Sequence, residues 1–237
     1  MTLTKRLVLP MSLLGSLCAI LSCTAAVAAD DAVPANTVRA GMYFVKYNSS
    51  ASDLSGPFTP AGINLRVDHV NTPYFAYLRR LTSSWSLELA AGVPPETHTR
   101  GVGPATLGSV PFNGQEVATA KWFSPSVLLE YNFLEESSAF RPYAGVGFNY
   151  THFYERNSTA AGDAANGGPT KTYLSDSVGP AATVGVSYKF TRQWNVIASY
   201  SIAQVNSEYN SNTAGVSRRT EVHFNPTTWV AAVGYSF

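Results

Sequence analysis

The last nine residues, Trp229 to Phe237, alternate in a way that few folds can accommodate. Trp229, Ala231, Val233, Tyr235 and Phe237 fall on one face of an extended chain; Val230, Ala232, Gly234 and Ser236 fall on the other. Successive side chains of a strand point to opposite sides, so a period of two specifies a strand with two different environments. Neither face carries a charge. A soluble sandwich strand would turn bulky groups inward and polar groups outward. Here the bulky face begins and ends in aromatics, and the other face is small. That distribution fits a membrane barrel strand, with apolar groups toward lipid, aromatics at the interfaces and small groups inside.

The start of the chain agrees. Lys5 and Arg6 precede an apolar run beginning at Leu7, and the small residues Thr24 to Ala29 follow. This is the pattern of a cleaved signal peptide over residues 1–29, cut after Ala29 or Ala28. A lipoprotein signal is the alternative, with Ile20-Leu21-Ser22-Cys23 as its lipobox. Both cysteines, Cys18 and Cys23, lie in this leader, so residues 30–237 hold no disulfide and no thiolate metal site. The whole chain has a formal net charge of +1, which becomes −1 without Lys5 and Arg6. Such a balance argues against a nucleic-acid binder. No later stretch reaches the length of a spanning helix. An exported chain with 12% aromatic residues must bury its apolar surface in a core or in lipid. Only closed barrels let strands face lipid with every backbone group paired.

Seven further strands are expected. They run over residues 38–47, 72–80, 85–93, 122–133, 140–153, 178–190 and 194–202. Four long polar loops, over 48–71, 94–119, 155–176 and 204–219, alternate with three short turns. The fold class is therefore all-β: an eight-stranded antiparallel transmembrane β-barrel formed by residues 30–237. Both ends and the short turns are periplasmic, and the long loops are external. An eight-stranded soluble lipid carrier is the rival. It would place bulky groups inside, opposite to strands three, five and eight.

The run FRPYAGVGFNYTHFY from Phe140, the run WSLELAAGVP from Trp85, the order of four loops and the closing GYSF resemble the outer-membrane protein W family. The resemblance implies a monomeric barrel of the bacterial outer membrane, with a narrow apolar lumen and passage of small hydrophobic molecules. The terminal aromatic, Phe237, resembles the signal read by the barrel-assembly machinery. One departure is visible: the family often has a double proline in strand four, and here the pair is Ser124-Pro125.

The inward positions divide into two sets. Val45, Tyr47, Phe153, Ile197 and Val230 are apolar and form a candidate chamber, whereas water-filled porins have polar interiors. Arg39, Glu88, Glu130 and Lys189 fall in the periplasmic half, two of each sign, and form a candidate charge-paired plug. A hydrophobic solute would not cross such a plug and would leave sideways into lipid. Pro125 and Pro226 remove ladder hydrogen bonds and mark candidate lateral openings; equally, each ends strand pairing near the rim. None of His69, His98, His152 and His223 sits in a local His-x-Ser arrangement on an inward face. No catalytic residue, metal ligand set or cofactor is expected. Outer-membrane lipids and small hydrophobic solutes are the expected partners. The alternative is a closed structural or receptor barrel whose external loops bind partners.

Overall fold

The computed structural model describes residues 34–107 and 109–237; the expected signal peptide, residues 1–29, lies outside the described residues. β1 (Asn36–Tyr47) is followed by two short strands, β2 (Ser50–Ala51) and β3 (Asn64–Val67), and then by β4 (Val70–Arg80). β5 (Trp85–Gly92) runs past Pro94-Pro95 into β6 (Glu96–Val102), and β7 (Thr106–Leu107) with β8 (Val110–Pro111) forms a small hairpin. β9 (Glu116–Phe123) returns and, after Ser124-Pro125, becomes β10 (Ser126–Asn132). β11 (Phe140–Ser158) leads through α1 (Ala160–Asn166) to β12 (Thr170–Leu174) and β13 (Ser177–Lys189). β14 (Trp194–Ala203), β15 (Asn206–Thr213), β16 (Val216–His223) and β17 (Pro226–Ser236) complete the chain.

Eight of these strands close a barrel. The order is β10-β5-β4-β1-β17-β14-β13-β11, and β10 pairs with β11 to complete the circle. The terminal strand closes against the first, in register from Thr37 opposite Ser236 to Tyr47 opposite Pro226. The two ends hold each other: Asn36 N–H donates to Phe237 O at 3.1 Å, and Phe237 N–H donates to Asn36 O at 2.9 Å. Closure leaves no barrel edge in the hydrocarbon, which is why lipid tolerates it. β11 approaches β10 so closely that a Cβ at Gly147 would collide with the Val127 carbonyl oxygen.

The alternation read from the sequence sets the two faces. Trp229, Val233 and Phe237 are exposed outward, while Val230 and Ala232 are buried inward. Outward aromatics meet in directly opposed cross-strand pairs. Trp85 with Tyr131 (5.1 Å) and Trp194 with Tyr235 (5.0 Å) lie toward the short turns, and Tyr200 with Trp229 (4.8 Å) lies toward the other end. Two aromatic levels flanking an apolar band match the interfaces of a bilayer. Between them stand Leu89, 49% exposed, and Val146, 66% exposed. Leu89→Arg and Val146→Arg are each expected to cost about 2–4 kcal/mol near the midplane, read by equilibrium refolding into bilayers. Unchanged refolding of both variants would mean that these faces do not meet lipid.

The expectation of four long irregular loops is corrected. Most of these segments are strands that carry the barrel wall beyond the aromatic level. β3, β6, β9 and the upper part of β11 extend the main sheet, and β12, β15, β16 and β2 form a second sheet. β15 continues β14, and β16 leads into β17, in one unbroken register: Ile202 opposes Thr227, and Asn206 opposes His223. The expected strand four, residues 122–133, is also corrected. It is two strands, β9 and β10, separated at Ser124-Pro125. A core of Val45, Leu65, Trp122, Phe153, Tyr209 and Phe224, among others, fills the interior where barrel and extension meet.

Candidate functional site

The inward faces of β1, β11 and β17 enclose a cavity of about 90 Å³ in the upper half of the barrel. Tyr43, Val45 and Tyr47 line it from alternate positions of β1, with Phe153, Phe224 and Val230 around them. Three of the polar groups on the β9–β11 side of the lining are tied to Asn149, whereas Trp122 Nε1 is buried without a hydrogen-bond partner. Asn149 Nδ2 donates to Ser124 Oγ (2.9 Å) and Ser126 Oγ (3.0 Å), and Thr151 Oγ1 donates to Asn149 Oδ1 (2.8 Å). Satisfied polar groups compete little for a solute, so the chamber offers mainly apolar contact.

A charged layer closes the chamber below. Arg39 forms an ion pair with Glu88, and its Nη1 lies 3.6 Å from Glu130 Oε1. Tyr74 OH donates to Glu88 Oε1 at 3.3 Å, and the Arg39 guanidinium sits 5.5 Å from the centre of the Tyr143 ring. Exposure is 5% for Arg39, 5% for Glu88 and 1% for Glu130. Neither Glu130 carboxylate oxygen has a hydrogen-bond partner, so charge alone holds it to Arg39. Buried charges of this kind persist only when paired.

The wall beside the chamber is interrupted on one side. The β5–β10 ladder ends with Ala90 opposite Ser126, and the β6–β9 ladder begins with Glu96 opposite Lys121. Between them, residues 91–95 face residues 122–125 without a ladder, and three of these residues are Pro94, Pro95 and Pro125. Proline has no N–H to contribute. Val93 turns its own N–H to Pro73 O on β4, at 2.9 Å. The other edge is intact, with Tyr150 N–H donating to Pro125 O at 3.0 Å. Trp122, Ser124 and Ser126 line the chamber inside the interruption, and Val93 and Phe123 are exposed outside it.

At the top of β11, His152 Nδ1 lies 2.9 Å from the Asp176 carboxylate, and Tyr150 OH donates to Asp176 at 2.8 Å. Burial pushes the Asp176 carboxyl up, but hydrogen bonds from His152 and Tyr150 outweigh it and hold the group below the usual carboxylate range. The cluster clips β11 to β13 where their ladder ends, at Thr151 opposite Ser177.

The sequence model of the OmpW family matches residues 35–237. The chain belongs to the OmpW family. It is 29% identical over 200 residues to outer membrane protein W of Vibrio cholerae, covering 84% of this chain and 87% of that one. Among solved structures, outer membrane protein OprG of Pseudomonas aeruginosa superposes with a TM-score of 0.77 at 22% identity, over 86% of this chain and 96% of that chain. The Escherichia coli outer membrane protein W superposes with a TM-score of 0.55 at 24% identity, over 87% and 100% of the two chains. These likenesses confirm the closed eight-stranded barrel and place the protein in the bacterial outer membrane. In outer-membrane barrels the short turns are periplasmic and the longer connections external, which puts the extension of this barrel on the outer side.

The geometry sorts the candidate residues. Val45, Tyr47, Phe153 and Val230 line the chamber; Ile197, 5% exposed, packs lower, in a cluster with Tyr74, Tyr143 and Val230. Arg39, Glu88 and Glu130 come together, but Lys189 does not join them. Its Nζ donates to Glu136 O at 2.8 Å at the periplasmic rim, where Arg80 pairs with Glu136 and Arg141 donates to Ser83 O at 2.8 Å. The plug is thus one guanidinium between two carboxylates, not two charges of each sign. Pro125 lies at the interruption. Pro226 makes none: it pairs with Tyr47 on one side, and on the other Phe224 N–H donates to Val205 O at 2.9 Å just beyond it. Tyr74 and Tyr143, which complete the plug, were not among the candidates. Tyr74 shares the parity of Thr72 and Ala76 on β4, a barrel strand whose faces the sequence distinguishes weakly.

Proposed function

We propose that this barrel passes small hydrophobic molecules from the outside into its chamber and releases them sideways into the outer leaflet. The observation that carries this reading is an apolar chamber sealed below by Arg39, Glu88 and Glu130, with an unladdered stretch of wall beside it. An apolar solute gains nothing from the buried charges and would have to separate them to pass. The interrupted wall asks for no broken ladder bonds and opens onto Val93 and Phe123, which face lipid. The barrel acts as a monomer with outer-membrane lipid as its immediate partner, and Phe237 is the residue presented to the assembly machinery.

The test is to fill the chamber. Ala90, 2% exposed, and Thr228 both line it from inward positions. Ala90→Phe and Thr228→Trp are expected to abolish facilitated uptake of a small hydrophobic solute in cells, down to the rate without the protein. Heat-modifiable mobility on gels reports that the barrel has folded. Folded variants that still take up solute at the parent rate would remove the chamber from the route and favour a barrel that acts through its external surface.

A further inference from the structure

A second cavity, of about 200 Å³, lies at the outer end of the extension between the two sheets. Its body is apolar, with Ile63, Leu65, Phe112 and Val117 in the lining. Three of its polar groups, Asn166, Ser211 and Arg218, lie together. Ser211 and Arg218 oppose each other across the β15–β16 ladder and both face inward. Arg218 is only 8% exposed. Its Nη1 donates to Asn166 Oδ1 at 3.1 Å, at the end of α1, and no carboxylate lies within ion-pair distance of it among the described residues. Ser211 is 1% exposed; its hydroxyl makes no well-formed hydrogen bond, and the Tyr209 hydroxyl is the polar group beside it.

This pairing departs from ordinary burial. A buried guanidinium normally meets an anion, as Arg39 does twice in the same chain, or several carbonyls, as Arg141 does. Arg218 meets one neutral amide, which leaves most of its five donors without a strong acceptor. A planar fork and a weakly held hydroxyl side by side, on the wall of a cavity with apolar side chains beyond them, match a carboxylate bound through both oxygens. At the rim stands Phe58, 90% exposed, with φ at 59°, a conformation that an aromatic residue adopts only at a cost.

We propose that this outer cavity binds amphiphilic monocarboxylates with a small apolar or aromatic body. The carboxylate sits against Arg218 and Ser211, and the body lies on Phe112 and Ile63. The inference deepens the conduit reading and rests on it, because it names the class of solute admitted at the entrance. The cavities support this placement. The outer one shares Leu65 and Tyr209 with a small middle cavity, which shares Phe153 and Phe224 with the chamber.

The test titrates benzoate, and separately the neutral benzyl alcohol, into the full protein in nanodiscs of zwitterionic lipid. Benzoate is expected to bind more tightly than the alcohol. Arg218→Leu should weaken benzoate about 10- to 100-fold, the worth of a charge-assisted hydrogen-bonded contact, and leave the alcohol unchanged. Arg218→Lys should restore part of the loss, and Ser211→Ala should give a smaller one. If Arg218→Leu does not fold, Arg218→Gln removes the charge while keeping a donor for Asn166. Equal loss for both probes would make Arg218 a structural residue and overturn the proposal, as would no loss at all. The two readings separate cleanly. Uptake of neutral solutes without benzoate binding leaves the conduit and removes this site; benzoate binding without any uptake leaves the site and removes the conduit.

Discussion

Arg39→Ala is expected to destabilise the folded barrel by about 3–5 kcal/mol, measured by equilibrium refolding into lipid. The substitution leaves Glu88 and Glu130, 5% and 1% exposed, facing each other with no cation between them. Removing one partner of a buried charge cluster costs more than the cluster contributes, because the remaining charges stay desolvated. The converse change tests sealing. Glu88→Ala with Glu130→Ala removes both carboxylates that Arg39 meets and opens space beneath the chamber. Ion conductance in planar bilayers is expected to rise, while uptake of hydrophobic solute by cells is largely retained, because that route does not cross the plug. An unchanged conductance would assign the seal to the packed rings of Tyr43, Tyr74 and Tyr143 instead.

Locking the wall should have an equally large effect on transport and almost none on folding. Val93 and Phe123 lie on opposite sides of the unladdered stretch and are both exposed outward. The only native cysteines, Cys18 and Cys23, lie in the expected leader, so an engineered pair meets no competing thiol. In the variant Val93→Cys with Phe123→Cys, bridging the pair by a short bifunctional reagent is expected to stop uptake. A cleavable reagent restores it on reduction. A bridged barrel that transports at the parent rate would show that solute leaves elsewhere, and Pro125 would then be no more than the end of a ladder.

The faces of the barrel strands, β4 apart, were legible residue by residue. On β17 and the residue after it, the alternation of Trp229, Val233 and Phe237 with Val230 and Ala232 gave both environments. On β5 Leu87 and Leu89 alternate with Ser86 and Glu88 just as clearly. The extension was not legible. On β15 the buried positions are Ser207, Tyr209, Ser211 and Thr213, while Asn206 before them and Glu208 between them are exposed. Polar residues occupy both faces there, so a real strand lacks the contrast that marks one. The same masking hid Arg218, whose neighbour Arg219 looks identical in sequence but points outward to Glu208.

Period-two hydropathy is a property of consecutive residues, so the amino-acid order alone set the strand class, the lipid-facing side and the even count of barrel strands; the pairing of the last strand with the first was implied by the family resemblance and is seen in the closed barrel. The inward placement of Arg39, Glu88, Glu130 and Lys189 follows from the same parity. Which of them meet does not, because the height of a side chain in the lumen depends on strand tilt and shear, which belong to the closed barrel as a whole. That stagger puts Arg39 level with Glu88 and Glu130 and leaves Lys189 at the rim with Glu136. It also decides the wall. Pro125 and Pro226 are alike as residues, but only Pro125 lies in a stretch whose facing strand also carries prolines, Pro94 and Pro95, so N–H groups are missing from both sides of the same gap.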